Sequence, residues 1–425
     1  MGLLIKGGRV IDPDTKLDGT ADILIEDGII QKVGKIEKGQ DDQVLDAAGC
    51  YVMPGLIDLH VHFRDPGQEQ KEDIVSGGKA AAKGGFTTVM AMPNTHPVID
   101  TPSRVNYVHH KAEELCPIRV LQAGTITKGQ KGEELADIEG MIKAGIPAIS
   151  EDGKSVMNSH LYWEAMKIAQ EHGIPVMAHC EDGPMVGKGC MNKDEKAEEL
   201  NLPGISNVVE DIIVARDIFL SQDTGAHLHL CHCSTKQSMW MLKRAKEDGL
   251  HVTGEVCPHH FTLCSEDIPG DNPNYKMNPP LRRREDKEAI LKAIKDGVVD
   301  IISTDHAPHT AEEKSGSMRD APFGIVGLET SVALTITELV ETGIITPMRM
   351  AEMMSWRPAQ IIHLDRGSLR EGKAADVVVI DPKEEFIIDA RTFVSKGRNT
   401  PFQGRKVRGQ VKTTIYNGEI VYQKD

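Results

Sequence analysis

The sequence predicts an α/β protein: a closed (β/α)8 barrel carrying a small β-sandwich domain formed from both termini. Three observations predict it. The centre of the chain holds eight apolar runs with helical patterns between most of them. Both ends read instead as short β-branched runs broken by Gly, Asp and Pro. No GxGxxG follows the first central run, which counts against an open, doubly wound sheet.

Residues 1–53 form the first part of the predicted β domain. "LLIKGGRVIDP", "ADILIEDGIIQKVG" and "QVLDAAGCYVMPG" are its strands and turns. Its second part is predicted at 362–425, with "GKAADVVVIDP" and "KTTIYNGEIVYQKD", the latter carrying an Asn-Gly hairpin signal. The barrel is expected over 54–361. Its strands are predicted at 56–62, 87–92, 118–124, 146–150, 174–180, 226–233, 251–258 and 299–304. Between them lie helical stretches such as "SHLYWEAMKIAQEHG" and "STKQSMWMLKRAKEDG", each closed by Gly. Continuously apolar strands alternating with helices indicate a parallel sheet buried on both faces, and eight units close a barrel.

Composition narrows the function. The 425 residues are 40% hydrophobic and 27% charged, as expected of a globular chain. The formal charge of −15 argues against nonspecific nucleic-acid binding, which needs a basic face. No run of about 18 apolar residues is present, so no membrane span is expected. The first sixteen residues lack the apolar core of a signal peptide, and a cytoplasmic location is expected. The eight cysteines follow no disulfide spacing and are expected to be reduced thiols. Cys231-His232-Cys233 lacks the second pair that would make it a soft-metal site.

The chemistry gathers where the strands end. "GLIDLHVHFRDPG" puts His60 and His62 two apart, so they face the same side of a strand, about 6–7 Å apart along it. His179 ends "IPVMAHC", His232 ends "HLHLCHC", Asp305 ends "VDIISTD", and Asp152 follows "IPAIS". In a barrel the C-terminal strand ends form one face, so these six residues are expected to meet in one mouth. Four His and two Asp suit divalent ions such as Zn, Mn or Co. Any one of these histidines alone is more often a satisfied core or surface residue; the joint placement carries the reading. By the same counting His227 and His229 face away from His232 and read as wall residues. His109-His110 reads as solvated, and His259-His260 as structural or supporting.

These residues are recognisable. "DLHVHFRDPG" and "STDHAPHTAEEK" resemble the two signature segments of dihydroorotases, in the amidohydrolase superfamily of metal-dependent hydrolase barrels. "MPNTHP", "SEDGKSV", "MAHCED", "HCSTKQS", "KMNPPLR" and "APFGIVGLET" support the resemblance, which covers essentially the whole chain and is nearest to the long bacterial type. The resemblance implies reversible closure of N-carbamoyl-L-aspartate to L-dihydroorotate and water, in pyrimidine (UMP) biosynthesis, by a metal-held hydroxide and an Asp acid/base. It implies that His60 and His62 hold a buried metal, and His179 and His232 a more exposed one. Asp152 would bridge the two, where many relatives use a carbamylated lysine. Asp305 would bind metal and shuttle the proton. Arg64, Asn94, Asn278 and His309 would contact substrate, with the backbone around Phe323 and Gly324 holding the ring. Zn2+, one or two per subunit with two the expectation, and a homodimer are further implications; an association with aspartate carbamoyltransferase stays open.

A planar guanidinium can grip a carboxylate through paired charged hydrogen bonds, which gives Arg64 a role with the substrate's α-carboxylate. The bland alternative is a salt bridge to Asp65 or Glu69. Hydantoinases and allantoinases share the scaffold but act on rings without that carboxylate, and their matching segments generally lack the arginine. A metal-free scaffold homologue would have lost ligands, and all six are present. The polar stretch 309–322 reads equally as a mobile loop over the site or as an ordinary surface connection.

Overall fold

The computed structural model describes residues 2–37, 39 and 43–424. Residues 1, 38 and 40–42 of the predicted first segment, and residue 425 of the last, lie outside the described residues.

The N-terminal strands are β1 (Leu3–Asp12), β2 (Leu17–Glu26), β3 (Ile29–Gly34), β4 (Gln43–Asp46) and β5 (Tyr51–Pro54). The barrel strands follow as β6 (Leu56–Val61), β7 (Phe86–Ala91), β8 (Arg119–Gln122), β9 (Ile149–Ser150) and β10 (Val176–Ala178). A short parallel ribbon, β11 (Met191–Asn192) with β12 (Gly204–Ile205), interrupts them. The barrel resumes with β13 (Leu228–Leu230), β14 (Val252–Val256) and β15 (Ile301–Ile302). The chain ends with β16 (Val377–Ile387), β17 (Lys406–Tyr416) and β18 (Glu419–Gln423).

The two ends of the chain build one sheet, in the order β18-β17-β16-β5-β1-β2-β3, with β4 also on β1. Its seam is the antiparallel pair β5–β16, where Val52 faces Val379 and Met53 faces Val378. Inward residues of both ends, including Ile5, Val10, Ile23, Val52, Val377, Val379 and Ile415, share one apolar core. Alternate residues along the same strands, Ile11, Met53, Val378, Ile380 and Val411, pack instead into the barrel's core.

The eight barrel strands fall within the eight predicted runs or one residue from them. All their pairings are parallel. Two bridges close the cylinder: Gly124 to Ile149 joins β8 to β9, and Val61 to His306 joins β6 to the chain after β15. The His62 amide donates to the His306 carbonyl at 2.8 Å across that last seam. Ile57, Leu59, Met90, Met177 and Ile301, from several barrel strands, form an apolar cluster of their own.

The helices follow their local signals. Ser159–Glu171 starts at Asn158, whose side chain accepts from the His160 and Leu161 amides. It buries Leu161, Tyr162, Ala165, Met166 and Ala169, a stripe at helical spacing. Lys236–Glu247 starts at Thr235, which accepts from the Ser238 amide, and buries Met239, Leu242 and Ala245. Gly173 and Gly249 follow these helices at φ 67° and 75°, the left-handed turn that ends a helix at no steric cost. Among the described residues no helix is long and apolar enough to cross a membrane.

Candidate active site

The mouth of the barrel holds a cleft of about 150 Å³. His62, Arg64, Asn94, Asp152, His179, His232, Asn278, Asp305, Phe323 and Gly324 all line it. His60 and His309 are buried beside it, His309 against the lining residues Arg64 and Phe323. The structure thus brings together the residues expected from the sequence.

Three of them sit on backbone that side chains avoid. Arg64, His232 and Asp305 have φ of 61°, 31° and 49°. Such residues cost about 1–3 kcal/mol each and persist only where the surroundings hold them. At His232 the turn also explains a correction. Counting by two along the strand put His229 on the far face from His232. The strand ends at Leu230, the count lapses there, and His229 belongs to the network behind the site.

Asp152 is the hub. Its Oδ1 lies 3.1 Å from His60 Nε2, 3.6 Å from His179 Nδ1 and 3.8 Å from His232 Nε2. Its Oδ2 lies 3.5 Å from His62 Nε2. Asp305 Oδ1 is 3.0 Å from His62 Nε2 and 3.7 Å from His60 Nε2. His179 Nδ1 and His232 Nε2 are 2.9 Å apart. Burial alone would push both aspartates up, yet the surrounding imidazoles hold both below the usual carboxylate range. Burial opposes a charge on His179, but Asp152 and Glu181 raise it to about 10.

The tautomers follow from what lies behind each ring. His60 Nδ1 is 2.8 Å from Glu255 Oε1, and His62 Nδ1 is 2.9 Å from Asn94 Oδ1. An oxygen acceptor fixes the proton on Nδ1, so each Nε2 lone pair turns to the mouth. His60 Nε2 and Asp152 Oδ1 are both buried and without a hydrogen-bond partner, although they face each other. Two acceptor atoms converging without a proton between them fit a divalent cation. Two groups have ligand atoms within 4.8 Å of one another here: His60, His62 and Asp305, and His60, Asp152 and His232. Lys154 turns its ammonium to the Gln130 carbonyl at 3.2 Å, away from this cluster.

Arg64 is half-buried and, among the described residues, shares no ion pair. Asp65 is taken by Lys111 at 2.7 Å and by Tyr107 at 3.1 Å, and Glu69 caps the Gly67 amide. Arg64 is steered by the Pro308 carbonyl at 3.3 Å and lies 3.4 Å from His309 Nε2. That nitrogen is 2.7 Å from the Phe323 carbonyl, so it carries the proton. Burial and then the Arg64 charge lower His309 to about 3, so it is neutral.

Several expected substrate contacts already have partners. The Asn94 amide holds His62 and donates to Asp152 Oδ2 at 3.2 Å, so Asn94 orients ligands as well as lining the cleft. Asn278 donates to Glu181 Oε2, and that same oxygen lies 3.6 Å from His179 Nε2. The Gly324 amide donates to the Lys276 carbonyl at 3.0 Å. The Phe323 and Gly324 carbonyls are each engaged once and keep a second lone pair. The stretch 309–322 is tied down: Lys314 donates to the carbonyls of Pro273, Lys276 and Pro322 at 2.8–3.0 Å, and Glu313 pairs with Lys71 at 2.8 Å.

Sequence reasoning missed two buried carboxylates. Glu255 holds His60, His229 Nε2 at 3.1 Å and the His232 amide at 3.2 Å. Asp58 accepts from the His60 amide at 3.0 Å and from Thr304 Oγ1 at 2.6 Å, binding β6 to the turn before Asp305. Each is a lone acid inside an apolar strand. That is the available signal, because a buried charge needs partners. The Cys231 thiol groups with His60 and Glu255 behind the cleft.

A family model described as "Dihydro-orotase-like" matches residues 49–238. The chain is 47% identical over 421 residues to the dihydroorotase of Clostridioides difficile (strain 630), covering 99% of each protein. It is 46% identical over 426 residues to that of Geotalea daltonii, covering 100% of each. Among solved structures it resembles a D-hydantoinase (TM-score 0.87, 27% identity, 100% of this chain and 95% of that one). It also resembles the L-hydantoinase of Arthrobacter aurescens (TM-score 0.89, 25% identity, 99% and 96%).

Proposed function

This chain belongs to the dihydroorotase family, and from that premise we propose that it closes N-carbamoyl-L-aspartate reversibly to L-dihydroorotate and water, in pyrimidine biosynthesis. The observation that carries the reading is one cleft wall holding both a converging His/Asp cluster and an arginine that, among the described residues, shares no ion pair. The first suits amide chemistry at a carbonyl; the second suits an anionic substrate. Hydantoinases share the fold, but Arg64 would have nothing to hold on their rings.

Divalent cations fit between His60, His62, Asp152, His179, His232 and Asp305, with the tautomers set by Glu255 and Asn94. When bound, such ions polarise a carbonyl oxygen and bring the pKa of water from ~16 to ~7. We take them to be Zn2+, two per subunit. The remaining steps belong to the chain's own groups. Arg64 holds the α-carboxylate and so fixes the reacting atoms relative to the cluster. Asp305 is ionised at neutral pH, because its imidazole neighbours hold it low. In closure its carboxylate accepts the proton from the carbamoyl nitrogen, which attacks the side-chain carboxyl carbon; that proton, with a second from solvent, goes to the carboxyl oxygen whose C–O bond breaks, and the oxygen leaves as water. In opening it takes the proton of the attacking water and gives it to the departing ring nitrogen. His309 and the carbonyls of Phe323 and Gly324 shape the wall opposite, and Asn278 borders it.

A cytoplasmic homodimer, with or without aspartate carbamoyltransferase bound, completes the reading; sedimentation with and without that enzyme tests it. The main test is Arg64→Ala in metal-loaded protein. KM for carbamoyl aspartate should rise by about 10²-fold or more, the scale of about 3 kcal/mol for a lost charged, paired contact. Cation content should stay unchanged. Unaltered kinetics would remove the carboxylate role.

A further inference from the structure

The loop between β16 and β17 does not stay with the terminal sheet. It reaches the barrel mouth, and the stretch 395–400 packs along the turn that carries Asp305, His306 and His309. Ser395 Oγ donates to Glu72 at 2.5 Å, and Glu72 faces His306 Nε2 at 3.4 Å. Gly397 lies so close to Pro308 that a Cβ there would meet the Pro308 Cβ at 2.7 Å. At the centre is Asn399, only 3% exposed. Its Nδ2 donates to the Ala307 and Gly324 carbonyls, both at 3.0 Å. Its Oδ1 accepts the His309 amide at 3.1 Å. Its own carbonyl accepts the Val326 amide at 2.9 Å. Both N–H groups and the oxygen of one side chain therefore end on the two segments that frame the binding wall, 307–309 and 324–326. Ala307 and Gly324 line the cleft themselves.

We propose that Asn399 is a positioning residue for substrate recognition: through one amide, the terminal domain sets the spacing between the His309 segment and the Phe323-Gly324 segment. Asn399 lies outside the cleft lining, so it acts through those segments. The two segments also meet directly, with the Ala307 amide donating to the Ile325 carbonyl at 2.8 Å and His309 Nε2 to the Phe323 carbonyl at 2.7 Å, and Asn399 braces that seam from the side away from the cleft. Gly324 has φ 129°, and a Cβ on it would meet Ala307 Cβ at 2.7 Å, so the two segments touch with no side chain between them. The inference rests on the reading that His309, Phe323 and Gly324 face the substrate.

The test uses the metal-loaded full chain with two substitutions. Asn399→Ala deletes all three side-chain bonds. Asn399→Asp keeps the acceptor for His309 but sets a carboxylate against two carbonyls. Both should raise KM for carbamoyl aspartate and for dihydroorotate by ~10- to ~100-fold, the scale felt when a binding group moves about an ångström. The kcat should stay within about threefold and the cation content should be unchanged. His309→Ala separates the layers. It should raise KM alone, and Asn399→Ala added to it should raise KM little further, because both act on one segment. If His309→Ala leaves KM unchanged, the reading of the wall fails. If His309→Ala raises KM while both Asn399 variants bind substrate normally and only melt earlier, Asn399 is a structural staple and the inference is overturned. Should Asn399→Ala fail to fold, the isosteric Asp variant still gives either result.

Discussion

Replacing Glu255 by Gln tests how the cluster is held. The carboxylate is fully buried and accepts from three groups: His60 Nδ1 at 2.8 Å, His229 Nε2 at 3.1 Å and the His232 amide at 3.2 Å. Burial would push it up, but His229 and His60 hold it well below the usual range, so it is ionised. Gln offers one acceptor oxygen where the carboxylate offered two. If that oxygen stays on His60, the new NH2 meets His229, which must move its proton to Nδ1. Thr253 Oγ1 is 2.8 Å from that nitrogen and can accept it. The substitution is thus tolerable sterically, but His60 loses its charged partner, and charged hydrogen bonds are about twice as strong as neutral ones. Loss of such a supporting partner typically weakens metal binding by ~10- to ~100-fold, or about 1.4–2.7 kcal/mol. Glu255→Ala should be harsher, leaving buried N–H groups unpaired at about 1–3 kcal/mol each. Competition against a chelator, with cations counted per chain, measures the first effect; melting of the cation-free protein measures the second. Glu255→Gln protein holding its cations as tightly as the parent would refute the orienting role.

Two further outcomes are expected. Asp305→Ala should lower kcat by ~10² or more, the usual scale for a lost acid–base group, while His60, His62 and Asp152 still retain a cation; near-normal turnover in metal-replete protein would remove Asp305 from proton transfer. His227 supplies a pH test remote from the cleft. Burial first, then the charges of His251 and His229, lower it to about 2, with His363 and Arg357 adding to the effect. Its folded value lies below its unfolded value of 6.5. The stability it contributes is therefore complete above pH 6.5 and is lost as pH falls toward 2, at about 1.4 kcal/mol per pH unit. His227→Gln should remove that slope, so the stability gap between parent and variant should shift by about 2 kcal/mol between pH 6.5 and 5. Parallel pH profiles would contradict it.

The barrel was legible in the sequence because its strands are buried on both faces and so read as unbroken apolar runs. The cluster was legible because a barrel turns scattered strand ends into neighbours, so residues from His60 to Asp305 needed only a place on a strand to be assigned a place in space. What stayed hidden depended on which strand faces which across the cylinder. Glu255 on β14 serves His60 on β6, and Asp58 on β6 serves Thr304 beyond β15. Nothing near Glu255 in "HVTGEVCP" names its partner. His229 was misplaced because a period of two holds only while a strand lasts, and the left-handed turn at His232 falls just past the end.

Asn399 shows the limit more sharply. It lies in a segment read from the sequence as part of a separate β domain, and nothing local distinguishes a loop that stays with its sheet from one that crosses to the barrel. The difference is made by groups elsewhere: two carbonyls and an amide on the mouth turns, which no regular ladder satisfies and which must find a partner once buried. Those turns are irregular because Asp305 and Gly324 adopt left-handed backbone there. The conformations that aim Asp305 at the cluster and open the wall at Gly324 therefore leave the orphan groups that a distant amide satisfies. On this argument the terminal domain is coupled to recognition by the barrel's need to satisfy its own mouth. Substitutions in the stretch 395–400 should thus register in KM before they register in metal binding.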